Sequence, residues 1–422
     1  MGNNAIVGQS GGPTAVINSS LAGVVKNATD RKIPKIYGMR FGIKGLLERK
    51  IINMTDYIVE EIDTELLKRT PASFLGTCRL KLPKVEEDEE IYAKIFKILQ
   101  ELDIGFFFYI GGNDSMDTVM KLSGYGQKIN SPIRFMGVPK TIDNDLAITD
   151  HTPGYGSAAK YIAATTKELI LDANVYDTKA AYIVEVMGRN AGWLAAASAL
   201  SRGVDCDGPD GIFLPEVEFC EDAFMEKAAQ VLKHRSVIMV VSEGVKIADG
   251  RYVSQLASDL DIMDAFGHRM LTGASRYLSE NLTRRLGIKA RAIEFGTIQR
   301  AAAHILSRVD MTEAFQVGSA AVTAAWEGRT NQVVVLKRVS NDPYICVTDL
   351  VDLSHVANVE RKVPVEWITP SKDDVTHDFI RYATPLIQAE LTPFMVNGMP
   401  RHITVASKDK LRAMTRCTDI AL

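Results

Sequence analysis

Short apolar runs alternate with amphipathic helical stretches along most of the chain. The helical stretches lie near residues 15–26, 115–121 and 191–200. The apolar runs occur at residues 5–7, 104–110, 133–138, 181–186, 237–241 and 290–295. Because these runs are continuous rather than alternating, they indicate strands that are buried on both faces.

Strands that alternate with helices predict an α/β fold with mostly parallel sheets. A length of 422 residues fits two or three domains, and we predict two α/β domains with a cleft between them. The alternation breaks at Asp342–Leu353 and again after Pro364. The tail from Lys372 to Leu422 carries few strand signals, so we expect it to be mostly helical or irregular.

A glycine-rich turn follows the first predicted strand, with the sequence Gly8-Gln-Ser-Gly-Gly-Pro-Thr14. Glycines between a strand and a helix let backbone N–H groups approach a phosphate at the positive end of the helix dipole. A plain tight turn is the alternative. The turn is neither a Walker A motif nor a G-x-G-x-x-G fingerprint.

A second turn, Gly111-Gly-Asn-Asp-Ser115, repeats this arrangement after the strand at 104–110. Ser115 is predicted to cap the helix that follows. Asp114 is unexpected beside a phosphate, because a carboxylate repels it, and such local conflicts tend to mark function. The alternative is that Asp114 is an ordinary acidic residue at a helix start.

A third turn, Pro139-Lys-Thr-Ile-Asp-Asn-Asp145, follows the strand at 133–138. Its residue types suit metal-assisted phosphoryl transfer: one aspartate can take the proton of an attacking hydroxyl, the other can hold Mg²⁺, and the lysine can neutralise the moving group. A solvated Asp-Asn-Asp turn is the alternative. All three turns lie at carboxyl ends of predicted strands, where open α/β sheets bind ligands, so together they predict one phosphate site.

Basic and polar residues occur at further strand ends. Arginines in such places suit bidentate binding of phosphate, although each alone could be a surface charge. The candidates are Arg79, Met187-Gly188-Arg189-Asn190, Glu243, Arg291 and Arg300.

Composition limits the partners and the compartment. A net charge of -3 with a pI near 6.2 argues against nucleic acid or an anionic membrane as the main partner. The five cysteines are scattered without a C-x-x-C pair, and the seven histidines show no metal-ligand spacing. We therefore expect a reducing, cytoplasmic location and no zinc site.

These motifs, in this order, resemble the phosphofructokinase family. The resemblance runs from about Ala5 to about Val322. It is carried by the segments GGPTAVIN, GTCR, GGNDS, PKTIDND, TPGYGSA, VEVMGRNAGW, SEG and R-x5-TIQR.

The resemblance implies a role for each matching residue. Catalysis is assigned to Asp143 as the base, with Lys140, Gly11 and Arg189. Donor binding is assigned to Gly11, Gly12, Arg79, Asn113, Asp114 and Lys140, and the metal site to Asp145 and Asn113. The sugar phosphate is assigned to Thr141, Asp143, Met187, Gly188, Arg189, Glu243, Arg291 and Arg300.

Two positions bear on the phosphoryl donor. ATP-dependent members carry glycine at the positions of Asp114 and Lys140, and the chain resembles pyrophosphate-dependent members at both. Asp114 would fill the space of the ATP α-phosphate and repel it, whereas Lys140 would hold a short diphosphate. The resemblance thus implies reversible transfer from pyrophosphate to the 1-hydroxyl of fructose 6-phosphate, with Mg²⁺.

The resemblance also implies the domain organisation. A donor domain would comprise 1–150 with 299–335, a sugar-phosphate domain 151–298, and a C-terminal extension 336–422. The two α/β domains would be Rossmann-like. The protein would be a homodimer or homotetramer, with Arg291 reaching across the interface.

The chain departs from common family patterns at Asn113, Thr297, Ala180 and Ala301-Ala302, which leaves sedoheptulose 7-phosphate open as a sugar. The rival functions are an ATP-dependent phosphofructokinase and a non-catalytic regulatory subunit that binds sugar phosphates. A dinucleotide-binding oxidoreductase would need a Rossmann fingerprint, which the sequence lacks.

Overall fold

The computed structural model describes residues 2–256, 271 and 273–411, and it contains two main β-sheets. The strands are β1 (Asn4–Gln9), β2 (Ile36–Met39), β3 (Ile51–Asn53), β4 (Ile104–Gly111), β5 (Arg134–Pro139), β6 (Ala180–Val186), β7 (Gly211–Phe213), β8 (Val237–Ser242), β9 (Lys289–Glu294), β10 (Gln332–Asn341), β11 (Tyr344–Asp352), β12 (Met395–Val396) and β13 (Met399–Pro400).

Helices connect most of these strands. They are α1 (Ile17–Asp30), α2 (Gly42–Leu47), α3 (Glu61–Arg69), α4 (Glu89–Glu101), α5 (Asn113–Lys128), α6 (Tyr155–Ala173), α7 (Trp193–Ala197), α8 (Glu221–Val231), α9 (Ala274–Leu286), α10 (Ile298–Ala301), α11 (Arg308–Trp326) and α12 (His377–Ala383). Each apolar run that the sequence analysis predicted as a strand overlaps an observed one, and the predicted α/β class is confirmed.

The larger sheet has seven strands in the order β11-β10-β5-β4-β1-β2-β3. Its five central strands are parallel, and the antiparallel strands β11 and β3 form its edges. The smaller sheet has four parallel strands in the order β7-β8-β6-β9. The carboxyl ends of parallel strands meet at one edge of a sheet, which is where a ligand crevice forms.

Helices cover both faces of each sheet, so every central strand is buried on two sides. On the larger sheet, α1, α3 and α11 pack on one face, and α2, α4 and α5 pack on the other. On the smaller sheet, α6, α7 and α12 cover one face, and α8 and α9 cover the other. All eight residues of β4 are buried, as its unbroken apolar sequence predicts.

Strand β9 differs from the expectation of a strand buried on both faces. None of its six residues is buried in the single chain, because β9 forms the edge of the smaller sheet beyond β6. Its sequence, Lys-Ala-Arg-Ala-Ile-Glu, places small and charged residues where a central strand would carry large apolar ones.

The C-terminal part contains more strand than the sequence suggested. The predicted boundary between 335 and 336 falls inside β10, which continues to Asn341 and pairs with β11 across an antiparallel hairpin. Beyond β11 the chain forms short turns, α12, the small β12–β13 hairpin and a helix at 405–411. Strand β11 escaped prediction because its residues are half-buried or exposed at a sheet edge and form no apolar run.

Four of the five cysteines, Cys78, Cys206, Cys220 and Cys346, are free thiols, and Cys417 lies outside the described residues. In the described ranges, no helix has both the length and the apolar character that crossing a bilayer requires.

Two glycines allow helices α1 and α11 to cross in close contact. A Cβ added at Gly23 of α1 would lie 2.1 Å from the carbonyl oxygen of Phe315, and one added at Gly318 of α11 would lie 2.1 Å from that of Ser20. Backbone atoms cannot give way as a side chain can, so either methyl group would force the helices apart.

We predict that Gly318→Ala lowers the free energy of unfolding by ~1–3 kcal/mol, the usual cost of overpacking. Gly124→Ala is the matched control, because Gly124 lies within α5 with no atom within 4 Å of the added Cβ. There the change is expected to stabilise the protein by ~0.5–1 kcal/mol through helix propensity. Urea unfolding of both variants tests this, and equal effects at the two sites would contradict it.

Candidate active site

A cavity of about 580 Å³ lies between the carboxyl ends of the two sheets. The turns after β1, β4 and β5 line it from the larger sheet, and residues after β6 and β8 line it from the smaller one. Of the site residues predicted from the sequence, all line this cavity except Gly188 and Arg291.

The turn after β1 approaches two cationic side chains. Gly11 has a φ of +75°, and a Cβ there would lie 3.4 Å from the Lys140 Nζ; a Cβ at Gly12 would lie 3.1 Å from an Arg300 Nη atom. The Gly11 N–H donates to the Cys78 carbonyl oxygen at 3.2 Å, so that N–H is engaged within the protein. Gly11 therefore supplies a backbone conformation that favours glycine, and Gly12 leaves space for Arg300.

Lys140 joins two of the three turns. Its side chain is 3% exposed, and its Nζ donates to the Gly12 carbonyl oxygen at 2.7 Å. Burial lowers the pKa of Lys140 to about 8, although Asp143 and Asp145 favour the charged form. The ammonium is thus held against the glycine turn and beside both aspartates.

The Lys140–Asp145 turn is fixed by polar contacts on both sides. The Asp143 N–H donates to the Thr141 hydroxyl at 3.1 Å. Asn144 adopts a φ of +54°, which asparagine tolerates. Its amide donates to the Tyr382 hydroxyl at 2.9 Å and accepts from the Thr152 N–H at 3.0 Å. Asn144 therefore anchors the turn while its neighbours Asp143 and Asp145 line the cavity.

The two aspartates of this turn have raised pKa values. For Asp143 the cause is burial, opposed by Lys140 and the Thr141 hydroxyl. For Asp145, burial raises the pKa to about 7, and the charges of Asp143 and Glu360 add to the shift. A carboxyl with a raised pKa is suited to accept a proton at neutral pH, and neighbouring carboxylates attract a cation.

The turn after β4 begins α5 two residues earlier than predicted. The helix starts at Asn113 with Gly112 as its cap residue, so the prediction of Ser115 as the cap was wrong; Ser115 lies buried within the first turn. Asp114 also lies in that first turn, where a negative charge is favoured by the helix dipole. It lines the cavity, and one of its oxygens is 4.0 Å from the Lys81 Nζ.

Asn113 contacts the C-terminal part of the chain. With its amide oriented to satisfy its surroundings, Nδ2 donates to the carbonyl oxygens of Val356 at 3.0 Å and Val359 at 3.3 Å. The amide nitrogen therefore has a structural role, and the amide oxygen is the atom that could serve as a ligand.

The smaller sheet contributes a glutamate and an arginine. The Glu243 carboxylate accepts from the Gly188 N–H at 3.3 Å, and burial raises the pKa of Glu243 to about 8. Gly188 has a φ of +134°, so its role is to shape this turn from behind the cavity wall. Arg189 lines the cavity, and within the described part of the chain its buried Nε has no hydrogen-bond partner. An unpaired buried donor at a cavity favours a ligand as its partner.

Arg300, on α10, completes the basic side of the cavity. Burial and the neighbouring charge of Arg79 lower the pKa of Arg300, while Asp143 and Glu243 oppose the shift. The neighbouring guanidinium groups of Arg79 and Arg300 favour an anion bound between them.

Arg291 lies apart from the cavity of its own chain. It is exposed on β9, with its guanidinium over the Tyr182 ring at 5.7 Å. Thr297 is exposed, and Ala180 is buried at the start of β6; neither lines the cavity.

Three polar cavity residues escaped the sequence analysis: Lys81, Asn358 and Glu360. Glu360 pairs through its backbone with Leu146, and its carboxylate accepts from the Asn190 amide at 2.9 Å. It follows no strand and belongs to no glycine turn, so its sequence context carries no signal. Lys81 could have been found because it follows Arg79 of the GTCR segment by two residues.

Cationic side chains and carboxylates line the cavity in equal numbers. Five cationic side chains (Arg79, Lys81, Lys140, Arg189, Arg300) and five carboxylates (Asp114, Asp143, Asp145, Glu243, Glu360) line it. Lys140 and Arg300 approach the glycine turn, whereas Glu360 and Asp143 both act on Asp145. Such a site can bind an anion at the glycine turn and hold a proton acceptor beside it, as phosphoryl transfer requires.

The sequence model of the family described as Phosphofructokinase matches residues 4–325. A protein from Halomonas elongata named Pyrophosphate–fructose 6-phosphate 1-phosphotransferase is 39% identical over 404 residues, covering 94% of this chain and 95% of its own. A protein of the same name from Methylococcus capsulatus is 38% identical, with 96% of both chains covered.

A solved structure shows the same similarity. The crystal structure of the pyrophosphate-dependent phosphofructokinase from Nitrosospira multiformis superposes with a TM-score of 0.85 and 36% identity, covering 95% of this chain and 96% of that one. Since both the sequence match and this superposition extend over most of the chain, the protein belongs to the phosphofructokinase family.

Proposed function

We propose that the protein is a phosphotransferase that moves a phosphoryl group reversibly between pyrophosphate and the 1-hydroxyl of fructose 6-phosphate. The forward reaction yields fructose 1,6-bisphosphate and phosphate, which places it in glycolysis and gluconeogenesis. Relatives that match nearly the whole chain bear the corresponding name, and the cavity carries the residue types that this reaction needs.

The observation that carries the choice of donor is that Asp114 and Lys140 line the same cavity. The Lys140 ammonium is buried and bonded to Gly12, so it occupies space that glycine would leave for a longer phosphate chain. Asp114 adds a carboxylate to the same cavity. A short diphosphate gains a cation here, whereas the α-phosphate of ATP meets a steric and a negative barrier.

The chemistry assigns Asp143 as the base. As the sugar oxygen forms its bond to the terminal phosphorus and the bridging P–O bond breaks, the hydroxyl proton passes to the Asp143 carboxylate and inorganic phosphate leaves. Lys140 and Arg189 stabilise the negative charge on the transferring group. Arg300, Glu243, Met187 and Thr141 hold the sugar phosphate, and Arg79 with Gly12 holds the donor.

We further propose Mg²⁺ as the cofactor, held by Asp145 with the Asn113 oxygen nearby. The fit rests on the donor set, since oxygen ligands suit Mg²⁺, which is commonly bound by one or two carboxylates together with substrate phosphates. Burial raises the pKa of Asp145 to about 7, the charges of Asp143 and Glu360 add to the shift, and a bound cation would offset both effects. When bound, the ion supplies charge neutralisation of the phosphates.

The exposed strand β9 supports a homodimer or homotetramer. A second copy against this edge would cover its unpaired backbone groups and bring Arg291 to the partner's sugar phosphate. The free thiols suit a reducing compartment such as the cytoplasm.

Initial rates with purified protein decide between the proposal and its rivals. Pyrophosphate and ATP are compared as donors against fructose 6-phosphate and sedoheptulose 7-phosphate. Activity with ATP alone would identify an ATP-dependent kinase, and sugar-phosphate binding without turnover would identify a regulatory subunit. A higher kcat/KM for sedoheptulose 7-phosphate would change the assigned substrate.

The first prediction about catalysis concerns Asp143. Asp143→Ala is expected to reduce kcat by about 10²–10⁴-fold, the usual contribution of a general base, with little change in sugar-phosphate affinity. Asp349→Ala, on the exposed surface of β11, is the control and should leave both unchanged. Turnover near the unmodified level would remove Asp143 from the role of base.

The second prediction concerns donor choice and compares four proteins: unmodified, Asp114→Gly, Lys140→Gly and the double variant. Asp114→Gly should raise kcat/KM for ATP with little loss for pyrophosphate. Lys140→Gly should reduce pyrophosphate turnover by ~10²–10³, as for loss of one electrostatic contact to the transition state. The double variant should be non-additive, because both residues line one cavity. A constant ratio of kcat/KM between the donors would place donor selection elsewhere.

The third prediction follows from the pKa of Lys140, which burial lowers to about 8. The charged form exists below that value, so kcat/KM for pyrophosphate should fall as pH rises through about 8. Lys140→Arg should lack this decline because a guanidinium stays charged, even if its overall activity is lower. Ionisation of pyrophosphate itself affects both proteins equally. Identical pH profiles would contradict the assignment.

A further inference from the structure

A second cluster of potential ligands lies outside the active-site cavity. His151, Glu313 and Cys346 each offer one ligating atom, and these atoms all lie within 4.8 Å of one another. The residues come from the loop before α6, from α11 and from β11. Among the described residues, this is the one group of three or more His, Cys, Asp or Glu side chains with such convergence.

The histidine already has the outer partner that metal-binding histidines usually have. Its Nδ1 lies 2.8 Å from an Asp150 oxygen, which leaves Nε2 directed at Glu313. Asp150 is in turn held by the Arg338 guanidinium at 2.8 and 3.1 Å. A carboxylate on the far ring nitrogen fixes the orientation of the imidazole and increases its basicity as a ligand.

The other two ligands border an opening to the surface. Glu313 and Cys346 line a cavity of about 400 Å³, together with Tyr344. His151 is buried at the base of the cluster, with 1% of its side chain exposed. A cation could enter through the cavity and keep one coordination position directed toward it, as three-ligand zinc sites do.

The known ion pairs explain only part of this arrangement. Asp150, Glu313 and Arg338 balance a protonated His151, and the Tyr344 hydroxyl donates to Glu313 at 2.7 Å. The Cys346 thiol takes part in none of these ion pairs. Its partners are the Tyr344 side chain and, at 4.0 Å, the Val347 carbonyl oxygen. A thiol is a weak hydrogen-bonding group, so a metal ion could replace both contacts.

We propose that His151, Glu313 and Cys346 form a binding site for a transition-metal dication of the Zn²⁺ class. The mixed nitrogen, oxygen and sulfur donor set selects such a metal over Mg²⁺ or Ca²⁺, which prefer oxygen ligands alone.

Charge remains balanced when the metal binds. Metal ligands must be deprotonated, so a dication takes the place of two protons, one from the His151 imidazolium and one from the Cys346 thiol. The cluster of Asp150, Glu313, His151 and Arg338 therefore keeps its net charge of zero once the thiolate is included. The surrounding protein does not have to stabilise an added charge in either state.

The geometry needs a small adjustment. Nε2 of His151 and Oε2 of Glu313 are 2.6 Å apart, a hydrogen-bond distance, whereas two ligands of a tetrahedral zinc ion are separated by about 3.3 Å, given bond lengths of about 2.0–2.1 Å. The Glu313 carboxylate would have to shift by that difference toward the cavity that it lines, while the Tyr344 hydroxyl holds its other oxygen. Binding would join α11 and β11 to the loop at His151.

Cobalt titration of the full-length protein tests the site, because Co²⁺ bound to a thiolate gives a sulfur-to-metal charge-transfer band in the near ultraviolet. The protein is stripped of metal and titrated with Co²⁺ under excess Mg²⁺, which saturates the oxygen-rich site in the active-site cavity. The expected result is one Co²⁺ per chain with the band present, followed by its loss when Zn²⁺ displaces Co²⁺.

Matched cysteine variants assign the band. Cys346→Ser should abolish it and weaken binding by at least about 100-fold, the upper end of what loss of a second-shell partner costs. Cys220→Ser, which changes an exposed thiol on the surface, should leave both unchanged. Absence of the band in the unmodified protein, or its persistence in Cys346→Ser, overturns the proposal.

Stability gives an independent measurement. Zn²⁺ should raise the Tm of the unmodified protein and of Cys220→Ser but not that of Cys346→Ser. Thermal unfolding without metal shows whether the serine variant is folded, and Cys346→Ala serves in its place if it is not. An equal Zn²⁺-induced shift in all variants would also overturn the proposal.

Discussion

The bond between the Lys140 ammonium and the Gly12 carbonyl oxygen is the contact on which the arrangement of the active site depends. It ties the turn after β5 to the turn after β1, across the intervening strand β4. It places a cation beside Asp143 and Asp145, whose burial would otherwise be more costly. In the proposed function, this one side chain takes part in phosphate binding and donor choice, and it lies beside the proposed base Asp143.

The cavity also depends on the position of the C-terminal segment that contains Glu360 and Arg361. The Arg361 N–H donates to the Asp145 carbonyl oxygen at 2.7 Å, and the Arg361 guanidinium lies 4.5 Å from the Trp193 ring centroid. Glu360 reaches Asn190 at the end of the smaller sheet. This segment therefore connects the two halves of the cavity, and it lies beyond the residues 4–325 that match the family model.

The fold and the gathering of the candidate site residues around one cavity could be predicted because their signals are local. Strand β4 is an unbroken apolar run, and Lys140, Asp143 and Asp145 occupy one short turn directly after β5. Sequence patterns failed where the role of a residue depends on its position in the tertiary structure. The prediction that β9 is buried on both faces was wrong, because an edge strand can resemble a central one in sequence. Helix α5 begins before Ser115 because Gly112 takes the cap position. Glu360 reaches the cavity through pairing with Leu146, and the cluster at Cys346 joins residues far apart in the chain.

The late position of Glu360 and Arg361 has a consequence for the protein during its synthesis. Domains fold as units, N-terminal first, as the chain emerges from the ribosome. The strands of the smaller sheet end at Glu294, and the central strands of the larger sheet are complete by Asn341. The strands of both sheets are therefore synthesised before the segment that supplies one wall of the cavity. In a growing chain, this wall can be added only after Arg361 has left the ribosome, and α12, which covers one face of the smaller sheet, follows later still.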